Sequence, residues 1–350
     1  MTSEIQVGPE DWDAAVADTD GPQLVVGGPG SGKTEFLVRR ARHLMEQREV
    51  HPDQILVLSF SRRGAAELRD RIGEGLGSIS KISASTFHSF AMRIIEAHGA
   101  TGDWRQVPTL LTGPEQVDLV NEVLSSEDPA GWPKTFRSIL GDRAFADEVA
   151  DFVLRAAERL ENEASIAARE RADWRGLPGF LTRYRAALVE RGRIDYGTLQ
   201  AEAVALLDDE TTRERLAQTV RYVLVDEYQD TTVAQAAMVE RVSVHANVTV
   251  VGDPYQSVYS FRGAELSNVA DFPNLFVDSA GEPAKRLVLT TSFRVPSRIL
   301  EAAIRVTAGA GLPGAAGPMH PAPGEGSVET YCFDQHSDEA EWIASEIQRA

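Results

Sequence analysis

The sequence has a single cysteine, no long apolar run and little basic charge. One thiol, that of Cys332, makes no internal disulfide and supplies no thiol set for zinc, which fits a reducing compartment. No apolar run approaches the roughly 20 residues needed to cross a bilayer, and the N-terminus carries acid where a secretory signal carries base. We therefore expect a cytoplasmic protein that does not contact a membrane.

The shortage of basic residues sets a condition on any nucleic-acid partner. The formal net charge is −18, whereas nucleic-acid binders usually show a basic footprint. Electrostatic potential decays over a Debye length of about 8 Å at physiological salt, so a local arginine cluster can bind phosphate beneath an acidic outer surface. Binding to a polyanion is therefore expected to be weak in general and to depend on particular arginines.

Four short apolar segments predict a buried sheet. They are residues 23–26, 54–59, 221–225 and 247–251. Continuous apolar strands of this length, separated by helical stretches, are typical of a parallel sheet with both faces covered. The apolar content of 43% is enough to fill at least one large core. The core is therefore predicted to be α/β, with a doubly wound sheet.

Helical periodicity interrupts the strand pattern between the second and third segments. Thr112 precedes Gly-Pro-Glu and has the character of a helix cap. Farther on, apolar residues recur at helical spacing from Phe145 to Leu160. We predict a helical subdomain at residues 100–195, inserted into an α/β lobe that is formed by residues 1–99 and 196–278.

Residues 279–350 are predicted to begin a second lobe. Strands are expected at 286–290 and 328–333, a Gly- and Pro-rich loop at 309–326, and a helix from Asp338 to Arg349. The chain ends inside this helical pattern, so we expect the second lobe to be incomplete and the protein to be truncated.

The segment GGPGSGKT, Gly27 to Thr34, lies between the first predicted strand and a helix. Its pattern is that of a phosphate-binding loop, in which glycines let backbone N–H groups face phosphate oxygens and the helix N-terminus adds positive potential. Lys33 is expected to reach the β- and γ-phosphates, and the Thr34 hydroxyl to bind Mg²⁺. The predicted nucleotide contacts in this segment are Gly27, Gly28, Pro29, Gly30, Ser31, Gly32, Lys33, Thr34 and Glu35.

Two carboxylates at the end of the third predicted strand complete this site. Asp226 follows the apolar run Tyr222-Val-Leu-Val225, at the carboxyl end where ligands of α/β sheets bind. We expect Asp226 to hold Mg²⁺ through water, and Glu227 to orient and deprotonate the attacking water. The pair therefore favours a hydrolase over a P-loop kinase.

Two longer motifs extend this site. Asp226 opens the segment DEYQDTTVAQ, and the fourth predicted strand runs into VGDPYQSVYSFRGA, Val251 to Ala264. Together with the phosphate loop, these motifs resemble in type and order those of superfamily 1 DNA helicases of the UvrD/Rep/RecB type. The resemblance implies an α/β fold of the RecA-like P-loop NTPase kind, with a mostly parallel sheet, a helical insert subdomain and the start of a second RecA-like lobe. It also implies that ATP hydrolysis drives 3′ to 5′ movement on single-stranded DNA.

The resemblance implies roles for further residues. Gln256 would sense the γ-phosphate, Arg294 would act as an arginine finger from the second lobe, and Phe293 would stack on adenine. Along the single strand, aromatic faces would hold bases and polar groups would hold phosphates. The residues implied in DNA contact are Phe60, Ser61, Arg62, Arg63, Thr86, His88, Tyr259 and Phe261, and Arg262 would couple the last two to the ATP site.

Two departures from the family pattern carry expectations of their own. Trp12 stands where these helicases usually have a glutamine that reads adenine, so use of other nucleoside triphosphates stays open. The family's later motifs do not occur in the sequence, so the chain is expected to bind Mg-ATP but to unwind little DNA by itself.

Three other functions stay open besides a helicase that acts alone on single-stranded or partly duplex DNA. The first is the motor subunit of a recombination helicase–nuclease, with a nuclease or a second helicase subunit as its partner. The second is a nucleotide-gated DNA-binding scaffold that does not hydrolyse ATP, and the third is a P-loop kinase. Hydrolysis is favoured by the intact set of Lys33, Thr34, Asp226, Glu227 and Gln256.

Overall fold

The computed structural model describes residues 4–74, 82–99, 104, 106–258, 263–307, 309–317 and 319–349. Its strands are β1 (Glu4–Val7), β2 (Gln23–Gly27), β3 (Ile55–Ser59), β4 (Ser83–Thr86), β5 (Thr109–Leu110), β6 (Arg193–Ile194), β7 (Tyr222–Val225), β8 (Asn247–Gly252), β9 (Lys285–Leu289), β10 (Thr291–Pro296) and β11 (His320–Ala322). Its α-helices are α1 (Trp12–Ala17), α2 (Lys33–Glu46), α3 (Arg62–Gly73), α4 (Phe87–His98), α5 (Gly113–Ser125), α6 (Arg143–Glu158), α7 (Glu163–Ala167), α8 (Leu177–Arg191), α9 (Tyr196–Leu207), α10 (Glu210–Ala217), α11 (Val233–Ser243), α12 (Ser267–Leu275), α13 (Ser297–Thr307) and α14 (His336–Arg349). No helix in these ranges combines the length and the apolar character that crossing a membrane requires.

Seven strands of the described residues form one parallel sheet in the order β1-β9-β2-β8-β7-β3-β4. Every residue of β2 and β3 is buried. Because side chains alternate along a strand, Leu24 and Val26 enter a core with α4 and α9, while Val25 enters another core with α2 and α3. Helices therefore cover both faces of the sheet, and the predicted α/β fold is confirmed.

The position of β9 differs from the prediction. Leu287 pairs with Ile5 of β1 on one side and with Val25 of β2 on the other. A strand that is hydrogen-bonded along both edges belongs to the sheet of its partners, so assigning the strand at 286–290 to the second lobe was wrong. The apolar run itself does not indicate which sheet it joins. The start of a second lobe within residues 279–350 otherwise stays a prediction.

The segments after β9 also depart from the sequence pattern. β10 and β11 form a separate two-stranded parallel sheet, so part of the predicted loop at 309–326 is a strand. The strand predicted at 328–333 does not form, and its side chains, including Val328 and Tyr331, are exposed. Residues with a high β-propensity stabilise a strand only when at least one of its faces is buried against a core. The helix predicted from Asp338 to Arg349 is present as α14.

The helical insert is closed at its base by a short pairing of β5 with β6, which joins Leu110 to Ile194. Thr112 caps α5 as predicted: its hydroxyl accepts from the N–H of Glu115, and its own N–H donates to the Glu115 carboxylate at 2.8 Å. α6 packs on α5 and α9, and α9 packs on α4 of the lobe. One hydrophobic core therefore runs from the sheet into the insert.

A buried arginine ties α2 to the sheet. Arg40 is 1% exposed, and its guanidinium donates to Gln23 Oε1 at 2.6 Å, Thr249 Oγ1 at 2.8 Å and Ala15 O at 2.5 Å. Burial lowers the pKa of Arg40 to about 10, so the group stays charged at neutral pH. We expect Arg40→Ala to lower the free energy of unfolding by about 3 kcal/mol, because the two buried acceptors Gln23 and Thr249 and the part-buried carbonyl of Ala15 lose their donor. Urea unfolding measures this loss, and the exposed control Arg48→Ala should lose less than about 1 kcal/mol; equal losses would contradict the role of Arg40.

Candidate nucleotide and DNA sites

The phosphate loop folds around the side chain of Lys33. Its Nζ atom donates to Gly27 O at 2.8 Å and to Gly28 O at 3.2 Å, and α2 begins at this residue. Gly30 and Gly32 have φ values of 73° and 87°, in the left-handed region that side chains rarely adopt, so the loop needs glycine at both positions. The first N–H groups of α2 have no partner within the helix. Together with the loop, they therefore form a site that suits an anion.

A carboxylate at the end of β7 meets the helix that follows the loop. Thr34 Oγ1 donates to Asp226 Oδ2 at 3.2 Å, because only β8 lies between β2 and β7 in the sheet. Asp226 is 6% exposed; burial, and then the neighbouring Glu227 carboxylate, raises the pKa of Asp226 to about 7. Hydroxyl and carboxylate oxygens are the ligand types that Mg²⁺ prefers, and a divalent cation favours the charged carboxylate. The residues present therefore fit Mg²⁺.

Glu227 has a constrained backbone and a fixed side chain. Its φ and ψ of 53° and 46° are left-handed, which costs a non-glycine residue about 1–3 kcal/mol. Gln229 Nε2 donates to Glu227 Oε2 at 2.8 Å, and Gln229 Oε1 accepts from Asp253 N at 2.9 Å. Gln256 Nε2 in turn donates to Asp253 Oδ2 at 2.6 Å. A hydrogen-bonded path therefore joins Glu227 to Gln256 through Gln229, a residue to which sequence reasoning gave no role.

The loop and these side chains border a cavity of about 740 Å³. The predicted residues that line it are Pro29, Gly30, Ser31, Gly32, Lys33, Thr34, Glu35, Glu227, Gln256, Phe293 and Arg294. Gly27, Gly28 and Asp226 are buried and do not line it. Sequence reasoning missed Pro9, Asp13, Arg39, Glu67 and Arg71 of the lining; the last four lie on α1, α2 and α3, at positions for which no role was predicted. The volume lies in the range of small-molecule sites.

β10 closes one side of this cavity. Phe293 N–H donates to Gly30 O at 2.8 Å, and Ser292 Oγ donates to Pro29 O at 2.9 Å. The side chain of Phe293 is 57% exposed and stands edge-to-face with Trp12, with ring centroids 6.0 Å apart. Trp12 itself is 6% exposed, so it forms part of the wall. The two rings make an apolar corner that suits the face of a nucleobase.

A second groove, of about 480 Å³, lies at the carboxyl ends of β3 and β4. Four predicted DNA contacts line it, namely Phe60, Arg62, Thr86 and His88. The ring of His88 stands edge-to-face with Tyr196 at a centroid distance of 4.9 Å. Burial, and then the charge of Arg62, lowers the pKa of His88 to about 4. This histidine therefore adds no positive charge to the groove at neutral pH.

Comparison with known proteins adds to this geometry. A family model described as the UvrD/REP helicase N-terminal domain matches residues 8–277. The chain belongs to the UvrD/REP helicase family. The resemblance predicted from the motifs is thereby confirmed.

Relatives from two staphylococci and one solved structure are similar to this UvrD/REP family chain. ATP-dependent DNA helicase PcrA of Staphylococcus epidermidis is 28% identical over 343 residues, which cover 96% of this chain and 44% of the relative. PcrA of Staphylococcus aureus is 28% identical over 300 residues, or 83% of this chain and 38% of the relative. The chain thus spans less than half the length of these curated relatives. The structure of Pif1 helicase from Candida albicans covers 80% of this chain and 39% of its own, with 10% identity and a TM-score of 0.30.

Some predicted DNA contacts of this UvrD/REP family chain have other partners or lie elsewhere. Ser61 Oγ accepts from Gly64 N at 2.9 Å and caps α3. Thr86 Oγ1 accepts from Ser89 N at 3.2 Å and caps α4. Ser61 and Arg63 do not line the groove. Outside the described residues lie Tyr259, Phe261 and Arg262.

Tyr196 and Arg93 are among the groove residues that sequence reasoning missed. Tyr196 begins α9, at the point where the chain returns from the insert, and only the placement of α9 against α4 brings it to His88. A polar and aromatic pair at that return, Asp195-Tyr196, was the available signal.

The cavity and the groove lie on the same edge of the sheet. The strands are parallel, so the carboxyl ends of β2, β3, β4 and β7 face the same side. Asp226 N–H donates to Leu58 O at 2.9 Å, just before Phe60 in the sequence. The backbone that carries the predicted Mg²⁺ carboxylate is thus bonded to the strand that leads into the groove.

Proposed function

We propose that this chain is the N-terminal motor part of an ATP-dependent DNA helicase or translocase, which couples ATP hydrolysis to 3′ to 5′ movement on single-stranded DNA. The observation that carries the proposal is the position of cavity and groove on one sheet edge, joined by the bond from Asp226 N to Leu58 O. The names of the PcrA relatives support the same activity. We propose that the whole protein unwinds DNA. For this chain we propose that it binds Mg-ATP but separates few DNA strands by itself. A nuclease or a second helicase subunit is the proposed protein partner.

In the proposed reaction, each residue acts where the structure puts it. Lys33 and Arg294 both line the cavity and would neutralise charge on the phosphates. Thr34 and Asp226 would hold Mg²⁺, which stabilises charge on phosphate oxygens when bound. Glu227 would accept the proton of the attacking water.

Gln256 is proposed to report the γ-phosphate. Its side chain lines the cavity and is bonded to Asp253. The path through Gln229 would make the position of Glu227 depend on the contact at Gln256. Sensing and proton transfer would then be linked within the same hydrogen-bonded path.

The groove is proposed to hold single-stranded or partly duplex DNA. Phe60 would stack on a base, and Arg62 would contact a phosphate. The half-buried ring of His88, which packs against Tyr196, would shape the groove without adding charge. Tyr259 and Phe261 keep their predicted role as stacking residues within the proposal.

Phosphate release with and without single-stranded DNA tests the proposed function. We expect the chain to hydrolyse Mg-ATP and to do so faster when the oligonucleotide is present. ATP binding without hydrolysis would favour the non-hydrolysing scaffold. Hydrolysis that does not respond to DNA would contradict a translocation motor.

The salt dependence of DNA binding distinguishes the role of Arg62 from that of His88. We expect Arg62→Gln to reduce the slope of log K against log salt by about 0.7, because one phosphate contact with a single strand is lost. His88→Gln should leave the slope unchanged, because the pKa of His88 is about 4 and the ring is uncharged at neutral pH. Fluorescence anisotropy with a labelled oligonucleotide over a salt series measures both slopes. An equal decrease in the two variants would show that His88 carries charge in the complex.

A further inference from the structure

The C-terminal end of α6 contacts a segment that lies far away in the sequence. Arg159 Nη2 donates to Glu265 Oε2 at 2.8 Å, across 106 residues of chain. Arg159 belongs to the helical insert, whereas Glu265 lies between Gln256, the proposed γ-phosphate sensor, and α12. The ion pair therefore joins the helical insert to the α/β lobe.

Gly263 lies against the charged end of the same helix. Its φ is 83°, and a Cβ atom there would lie 2.7 Å from Glu158 Oε2 and 3.2 Å from Arg155 Nη1. Glu158 is 7% exposed and accepts a hydrogen bond of 2.6 Å from Arg155 Nη1. Burial raises the pKa of Glu158 to about 7, so a carboxylate at this position is costly to keep charged. The contact between α6 and the segment is thus close, and it includes one buried carboxyl group, that of Glu158.

The lobe holds the same segment from its other side. Glu265 N–H donates to Thr231 O at 3.0 Å. Asn268 Nδ2 donates to Thr231 O at 3.0 Å and to Thr231 Oγ1 at 3.2 Å. Thr231 directly follows the motif DEYQD, which begins at Asp226. Residues 263–268 therefore lie between α6 of the insert and the residues that lead away from the Mg²⁺ carboxylate.

We propose that Arg159 is a positioning residue that couples DNA binding to ATP hydrolysis through its ion pair with Glu265. The inference rests on the proposed function and extends it, because it gives the helical insert a role in coupling DNA binding to ATP hydrolysis. A rearrangement at Gln256 would move the segment that Glu265 anchors, and the ion pair would make α6 follow. Coupling of this kind needs contacts that differ between the two states. An exposed ion pair adds little to stability, so the effect falls on coupling rather than on folding.

A charge-swap experiment tests the inference. Basal and DNA-stimulated phosphate release are measured for wild type, Arg159→Glu, Glu265→Arg and the double variant that carries both changes. Each single variant should lose about fivefold or more of the stimulation by single-stranded DNA, with basal release unchanged. The double variant should recover most of it, since opposite charges face each other again. The matched control is Arg143→Glu at the other end of α6, whose partner Asp118 lies within the insert, and it should keep full stimulation.

The outcomes separate the inference from the proposed function. If wild type itself shows no stimulation by DNA, the proposed function fails. If wild type is stimulated and the single variants are too, or if the double variant stays uncoupled, the positioning role of Arg159 is overturned. Thermal unfolding of every variant checks the fold. If a reversed charge disturbs folding, Arg159→Gln replaces the charge-reversal variant. Glutamine does not repel Glu265, so we expect this variant to fold and to lose less of the stimulation by DNA.

Discussion

Replacing Glu227 by glutamine is expected to slow phosphate release by about 10²- to 10⁴-fold, the range that a general base contributes. Glutamine keeps the size of the side chain and can still meet Gln229, whose Nε2 donates to Glu227 Oε2 at 2.8 Å. It does not accept a proton from water. ATP binding should persist, because Thr34 and Asp226 are unchanged. Phosphate release in the presence of single-stranded DNA, measured beside binding of a fluorescent ATP analogue, distinguishes the two steps.

The matched control for this prediction changes another carboxylate of the cavity lining. Glu67 lies on α3, lines the cavity and pairs with Arg71 at 3.7 Å. Its side chain is 58% exposed, so Glu67→Gln should leave turnover close to that of wild type. Undiminished turnover in Glu227→Gln would show that another group activates the water. Loss of ATP binding in that variant would instead show that Glu227 supports the shape of the site.

Replacing Lys33 by alanine is expected to weaken ATP binding by about 100-fold, the scale on which a buried charge pair loses one partner. Lys33 is 9% exposed, and its Nζ atom donates to the carbonyls of Gly27 and Gly28. Phosphate oxygens can take the place of these carbonyls, whereas alanine offers no cation at all. Titration with a fluorescent ATP analogue measures the affinity. The fold should survive, because the loop keeps its glycines.

The control is Lys134→Ala, which removes an exposed lysine of the helical insert. A ligand that binds only the folded protein raises the midpoint of thermal unfolding. Mg-ATP should therefore raise the midpoint of wild type and of Lys134→Ala, but not that of Lys33→Ala. A full shift in Lys33→Ala would mean that the nucleotide is held without this cation.

The negative net charge of the chain is compatible with a DNA-binding groove. Most arginines form ion pairs with acidic residues, so few cations are left to bind phosphate. Arg183, Arg185 and Arg191, for example, each pair with a glutamate of the helical insert or of α9. Within the described residues, Arg62 and Arg63 at the start of α3 form no ion pair. Phosphate binding is therefore expected to depend on few cations, which fits the modest salt slope expected of a chain with a net charge of −18.

The sequence by itself determined the features that depend on neighbouring residues. The phosphate loop needs left-handed backbone at Gly30 and Gly32, and these glycines stand in the pattern that predicted it. The helix cap at Thr112 depends on Glu115, three positions later, whose carboxylate accepts a hydrogen bond from the Thr112 N–H. The strands that flank the nucleotide site were predicted because apolar residues in a continuous run must be buried on both faces. Each of these features has a local cause, so a short stretch of sequence was sufficient.

Only the tertiary structure decided which distant segments meet. β9 was predicted as a strand, but its place between β1 and β2 depends on hydrogen bonds to both neighbours. The contact of His88 with Tyr196 and the ion pair of Arg159 with Glu265 join residues about 100 positions apart. Such contacts leave no periodic signal in the sequence, because the packing of the whole sheet and its helices brings them together. The strand that failed to form at 328–333 has the same explanation, since its apolar residues found no core to cover them.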